Sequence, residues 1–116
     1  MKIGLGTDIE KVERFIDVSE AFLNKCFHKT EIEYCMKHKN YAQNLCGRFC
    51  AKEAFAKAMG SPQNWHDVEI INNEDNKPII HLHGNAQKQL KNAQIEVSIS
   101  HTFEYATATV LIVFEG

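Results

Sequence analysis

Residues 47–60, GRFCAKEAFAKAMG, decide the fold. They close the clearest helix of the chain, which the sequence predicts over residues 41–59. Gly60 ends it as a C-terminal cap, and Pro62 follows, as expected for a helix stop. At 100° per residue, Gly47, Ala51, Ala54 and Ala58 fall on one stripe. Side chains that small let a helix lie close against a sheet. Glu53 and Lys57, four apart, share a different face, where an i,i+4 ion pair is the plainest reading.

Outward from this helix, the N-terminal residues 2–9, KIGLGTDI, read as a short strand ending near Asp8. Gly4 and Gly6 suggest close approach of another backbone. A helical stretch follows, with Val12, Phe15, Ile16, Phe22 and Leu23 as its apolar positions. Thr30 and Glu33 have the spacing of a capping box and predict a short helix over 31–38. Beyond the long helix the period changes to two. WHDVEIIN (65–72) and IIHL (79–82) read as strands around a DNKP turn. A short helix fits residues 85–91. VSIS alternates, HTFEY interrupts, and ATATVLIVF is a β-branched strand. The expected fold class is α+β, an antiparallel sheet packed against a long helix.

At 116 residues and 13.2 kDa the chain is expected to be one domain, residues 1–116. A fold of this size buries about two-thirds of the surface its unfolded chain exposes. A composition 44% hydrophobic and 24% charged argues against disorder. No run of about 20 apolar residues suggests a membrane span. The net charge of −2 argues against a basic nucleic-acid binder. The N-terminus carries an acid at its eighth residue and no long apolar run, so a signal peptide is not expected and the cytoplasm is the default compartment. Cys26, Cys35, Cys46 and Cys50 form no C-x-x-C. Cys46 and Cys50 could face one metal from a helix; four small core hydrophobes is the plainer reading.

Four features could carry chemistry. Asp8 is either a carboxylate ligand presented at a strand end or a helix N-cap, and spacing alone favours the cap. Arg14, on the element that follows, reads most simply as a solvated surface charge. On the long helix, Glu53 could be a hard oxygen ligand for Mg²⁺, with Lys57 and Arg48 on phosphate oxygens. The Lys77-Pro78 turn and the Ser98–His101 segment complete the set; His101 could donate to an anionic substrate or carry a proton. The other five histidines, including His81 and His83, show no ligand spacing, so a histidine metal site is not expected.

Together these segments resemble the holo-[acyl-carrier-protein] synthases, the small phosphopantetheinyl transferases. GLGTDIEKVERF (4–15) is similar to their first signature. GRFCAKEAFAKAMG is similar to their second, with its K-E-A-x-x-K-A-x-G core. VSISHTFEYATATV (97–110) resembles their S-x-S-H-x-x-x-x-A-x-A-x-V segment, and WHDVEIINNEDNKP (65–78) the stretch between. The resemblance covers nearly the whole chain, in order. Three positions depart: Asn76 stands where the family often has Gly, Lys11 where it usually has an acid, and Ser61-Pro62 where Thr-Gly is common. Asn tolerates positive φ, so the turn at Asn76 is expected to survive.

The resemblance implies transfer of the 4′-phosphopantetheine arm of coenzyme A to a serine of apo-acyl carrier protein, in support of fatty acid biosynthesis. The by-product is adenosine 3′,5′-bisphosphate. It implies Asp8 and Glu53 as Mg²⁺ ligands (Mn²⁺ as an alternative), and Lys57 and His101 at the coenzyme A phosphates. Arg48 and Ser100 are assigned to the same pocket. Arg14 would dock the carrier, with Lys25 and Lys29 as further candidates. The Lys77-Pro78 loop would lie near the adenine of a neighbouring subunit's site in a homotrimer, with Asp8, Glu53 and His101 from one chain. A Mg²⁺-bound water, Glu53 or a carboxylate of the carrier could each accept the serine proton. The rival readings are a carboxylate-metal nuclease, a nonenzymatic coenzyme A-binding domain, and a transferase acting on a different carrier.

Overall fold

A computed structural model describes residues 1–115. Strand β1 (Lys2–Lys11) leads through a 3-10 turn (Val12–Phe15) to α1 (Glu20–Cys26), α2 (Lys29–Met36) and the long α3 (Tyr41–Met59). A second 3-10 turn (Trp65–Asp67) opens the hairpin of β2 (Val68–Asn72) and β3 (Pro78–Leu82). Then come α4 (Gly84–Gln89), β4 (Gln94–His101) and β5 (Tyr105–Phe114). The sheet is divided: β1-β5-β4 form three antiparallel strands, and β2-β3 form a separate hairpin. The α+β class with an antiparallel sheet against a long helix is what the sequence predicts.

The closeness of α3 to β1 governs everything that follows. A Cβ on Gly6 would stand 2.0 Å from the Ala54 carbonyl oxygen, and one on Gly4 would stand 2.2 Å from that of Ala58. At the other edge of the sheet, on β4, a Cβ on Gly47 would meet Ile99 at 2.8 Å. The alanine stripe of the helix and the glycines of the strand are thus two halves of one contact. Gly60 caps α3 in the left-handed conformation, φ 79°, with its N–H on the Ala56 and Lys57 carbonyls. Phe15, Phe27, Leu45, Phe55, Ile70 and Ile112 fill the core beside it.

Two local expectations change. β1 runs past Asp8 to Lys11, because β5 supplies ladder partners along its whole length, Asp8 opposite Ala108. Asp8 therefore lies inside a strand and caps no helix. α2 begins at Lys29; its N-cap is His28, whose N–H donates to the Glu31 carboxylate at 2.8 Å. Thr30 instead donates to Glu69. All four cysteines are free and buried. Cys46 and Cys50 point their thiols at the Glu10 and Ala106 carbonyls of the sheet, and burial pushes the Cys35 thiol up to about 11. In the hairpin turn, Asn76 takes φ 61°, the left-handed conformation its glycine-like position requires.

Candidate active site

Side chains alternate along β1, so Gly4, Gly6, Asp8 and Glu10 share the face turned to α3. The glycines bring the helix close, and the two acids then emerge beside its C-terminal half. Lys57 Nζ lies 3.2 Å from Asp8 Oδ1 and 3.0 Å from the Thr7 carbonyl. The partner of Lys57 is thus Asp8 across the elements, and not Glu53 along the helix.

Asp8 is only 10% exposed in its side chain. Its second oxygen, Oδ2, is buried with no hydrogen-bond partner among the described residues. Leaving a carboxylate oxygen unpaired and dry costs about 1–3 kcal/mol or more. Glu53 stands close enough to feel it: burial, then the charge of Asp8, raises the Glu53 carboxyl above the usual carboxylate range, and Lys57 opposes this. Two hard-oxygen donors that repel each other, one of them with an orphaned oxygen, suit a divalent cation of the Mg²⁺ type. An open cleft of about 510 Å³ begins at Glu53 and Lys57 and runs past Ser61 and Gln63 to Trp65.

The remaining site residues lie elsewhere on the chain. His101 ends β4, opposite Ala106, which is itself opposite Glu10. That places it two strands from β1, about 10 Å across the sheet. It also stands beside the first turn of α3, where Gln43 Nε2 donates to the Thr102 carbonyl. Asp8 and Glu53 lie beside the last turns, so α3 stands between His101 and the acidic pair. Ser100 is exposed on β4. Arg48 is buried at 4% exposure, donates to Asn72 Oδ1 and stacks 4.4 Å from the Tyr34 ring centre, while its Nε is unpartnered among the described residues. Lys77 reaches Glu96 at 3.3 Å, and Pro78 opens β3. Arg14 is half exposed and bonded to Glu10. Lys25 and Lys29 are exposed on α1 and α2.

Two groups near the site escape the sequence reading. Glu10 faces α3 two residues beyond Asp8, holds Arg14, and adds to the charge that raises Glu53; the period of two was the available signal. Lys52, next to Glu53, is 3% exposed and paired with buried Glu31 at 2.7 Å. No local spacing announces that pair, since its members lie on different helices.

A strand and a helix packed this closely bring two carboxylates and a lysine together, with Glu53 and Lys57 opening on a cleft, an arrangement suited to a phosphorylated substrate and a divalent cation. The family model of the 4′-phosphopantetheinyl transferase superfamily matches residues 4–110, and the chain belongs to that superfamily. The chain is 40% identical to the holo-[acyl-carrier-protein] synthase of Caldanaerobacter subterraneus, over 97% of this chain and 96% of that one. It is 38% identical to that of Protochlamydia amoebophila, over 93% and 95%. The solved structure of the Helicobacter pylori holo-[acyl-carrier-protein] synthase in complex with coenzyme A superposes with a TM-score of 0.81 at 28% identity, covering 94% of this chain and 99% of that one.

Proposed function

We propose that this chain is a holo-[acyl-carrier-protein] synthase. It moves the 4′-phosphopantetheine arm of coenzyme A to a serine hydroxyl of apo-acyl carrier protein and releases adenosine 3′,5′-bisphosphate. It works with Mg²⁺, in the cytoplasm, in the service of fatty acid biosynthesis. No helix among the described residues is long and apolar enough to cross a membrane. The observation that carries the reading is the buried Oδ2 of Asp8, unpartnered among the described residues, whose charge is felt by Glu53 in the lining of the cleft.

Asp8 and Glu53 would hold the cation. When bound, Mg²⁺ offsets the charge of the diphosphate and favours departure of the leaving phosphate. Lys57 is 56% exposed in its side chain and can turn from Asp8 toward a phosphate oxygen. Its fixed positive charge then stabilises the negative charge that builds on the phosphate. Positioning and electrostatics dominate such transfers, and α3 provides both by carrying Glu53 and Lys57 one turn apart on a rigid scaffold.

His101, Ser100 and the Lys77-Pro78 loop would act on the adenosine and phosphate end of coenzyme A bound to a neighbouring subunit; Arg48, buried against Tyr34 and Asn72, would support the fold beneath them. The expectation of Asp8, Glu53 and His101 from one chain becomes, with α3 between His101 and the acidic pair, a proposal that His101 comes from a neighbouring subunit. Assembly as a homotrimer has support in the outer face of β1. Ile3, Leu5 and Ile9 point away from α3 and are 56%, 67% and 63% exposed, and Val113 and Leu111 of β5 stand opposite the first two. Such a stripe favours burial against another copy. Arg14, Lys25 and Lys29 would face the acidic carrier, where complementary charge speeds association.

The test is to incubate the protein with apo-acyl carrier protein, coenzyme A and Mg²⁺ and to measure the intact mass of the carrier. Addition of one phosphopantetheine is expected. Asp8→Ala and Glu53→Ala should each lower the rate by at least ~10²-fold while keeping the wild-type circular dichroism. No addition with any divalent metal would overturn the transferase reading, and full Mg²⁺-dependent rates in both variants would overturn the metal assignment.

A further inference from the structure

The sequence shows no histidine ligand spacing, yet the fold assembles one. His28 precedes α2, Glu69 lies in β2, and His83 follows β3. One ligand atom from each lies within 4.8 Å of the other two. None of the three is a residue to which the family resemblance assigns Mg²⁺ or coenzyme A binding, although Glu69 lies within the similar 65–78 stretch. We propose that His28, Glu69 and His83 bind a divalent transition-metal ion, Zn²⁺ by preference, and thereby tie the start of α2 to the β2–β3 hairpin.

Donor chemistry selects the metal. Two imidazoles and one carboxylate form a Zn²⁺ ligand set with a fourth position left for water. The same set suits Mg²⁺ poorly, because Mg²⁺ prefers oxygen ligands throughout. The chain would then hold two metal sites of different chemistry, hard oxygen at Asp8 and Glu53, mixed nitrogen and oxygen here.

The donors are already oriented. His28 Nε2 lies 2.7 Å from the His66 carbonyl oxygen, and the Thr30 hydroxyl donates to Glu69 Oε2. Contacts of this kind fix ring and carboxylate before an ion arrives, as outer-shell partners do in established metal sites. Glu69 Oε1 and His83 Nε2 stand 2.8 Å apart, sharing a proton that an ion would replace. Bonds near 2.0–2.1 Å in a tetrahedron put ligand atoms about 3.3 Å apart, so the Glu69–His83 pair opens slightly while the three donor atoms, already within 4.8 Å of one another, draw together around the ion. The His83 side chain is 39% exposed and that of Glu69 is 12% exposed, which leaves a path from solvent. His81 packs its ring 4.8 Å from that of His83 and is the nearest spare imidazole for the fourth position.

The test uses the full chain stripped with a chelator and kept in saturating Mg²⁺, so that Asp8 and Glu53 are occupied. Zn²⁺ is titrated by calorimetry and by thermal melting. One Zn²⁺ per chain and a raised melting temperature are expected. His83→Gln and Glu69→Gln should each weaken binding by at least ~10-fold and abolish the melting shift; His38→Gln and Asp8→Ala should leave both unchanged. Glu69→Gln keeps the size of the side chain and an acceptor for Thr30, so it reports binding even if His83→Gln lowers stability. X-ray absorption of the zinc-loaded protein should show two imidazoles and no sulfur. No Zn²⁺ uptake, uptake unaltered by His83→Gln and Glu69→Gln, or a sulfur-containing shell would each overturn the proposal.

Discussion

Lys52 and Glu53 are adjacent on α3 and live in opposite electrostatic conditions. Lys52 points into the core, where its ammonium donates to the Cys26 carbonyl at 2.7 Å, to Glu31 Oε1 at 2.7 Å and to the Trp65 carbonyl at 3.2 Å. Glu31 in turn accepts from the His28 N–H, and its other oxygen accepts from the Ile70 N–H at 3.0 Å. Burial lowers the proton affinity of Lys52, and Glu31 restores part of it. Every strong donor and acceptor there is used, by groups from α1, α2, β2 and the turn before it. One residue on, Glu53 faces Asp8, and the orphaned Asp8 oxygen leaves that pair incomplete. The lesson is physical. A saturated buried pair has no capacity left for a ligand and serves the fold; an unsaturated one costs stability and persists where a ligand completes it.

The largest effect should come from breaking the saturated side. Lys52→Met strands the buried Glu31 charge and two carbonyls, and Glu31→Gln strands the buried lysine. Removing one partner of such a pair costs about 3–5 kcal/mol. Denaturant titration should show that loss as a lower midpoint at unchanged slope. The two losses should not add, because both variants break the same contacts. Below their melting temperatures both variants should still respond to Mg²⁺ in the transfer assay. A stable Lys52→Met protein that had lost its Mg²⁺ response would place Lys52 on the functional side and break the contrast.

This asymmetry also explains what was legible in the sequence. The α3 segment could be read because its information is local: a small-residue stripe, a stopping Gly60 and an i,i+4 period. The proposal of Asp8 as a ligand rests on the motif around it, since spacing alone made Asp8 a cap. The ladder with β5, which forms from the far end of the chain, is what holds Asp8 in a strand. Glu31 was passed over for Glu33 for the same reason, its deciding partner Lys52 being on another helix. The three ligands of the proposed zinc site, His28, Glu69 and His83, come from three places in the chain and leave no spacing to detect. Local periodicity survives in a sequence, and the convergence of distant charges does not.

A second, smaller effect concerns the contact that brings the two regions together. Gly6→Ala would put a methyl 2.0 Å from the Ala54 carbonyl oxygen, a backbone atom that cannot turn aside. Overpacking of this kind costs about 1–3 kcal/mol. The helix must move off the strand, so the variant should melt at lower temperature and also bind Mg²⁺ more weakly, because Glu53 moves with α3 while Asp8 stays with β1. Isothermal titration with Mg²⁺, beside a melting curve, separates the two effects. Wild-type Mg²⁺ affinity in a destabilised Gly6→Ala protein would show that the strand–helix distance does not set the site.

The smallest effect is also the most diagnostic, because its sign depends on the cation. Burial and the charge of Asp8 raise the Glu53 carboxyl. A carboxyl raised on folding holds its proton more tightly in the folded state. Its contribution is therefore fully present below the ordinary glutamate value and is lost as pH climbs through the raised one. In Mg²⁺-free buffer the wild type should lose stability across that window, and Glu53→Gln, with no charge to repel, should not. The half-exposed setting limits the difference to about 1 kcal/mol or less. Saturating Mg²⁺ should reverse the order at neutral pH, because only the wild type gains the full binding energy. Paired melts at acid and neutral pH, with and without Mg²⁺, would show the crossover. If Glu53→Gln were the less stable protein at neutral pH without Mg²⁺, Glu53 would belong with Lys52 among the groups that hold the fold, and the division of α3 into a saturated and an unsaturated face would fail.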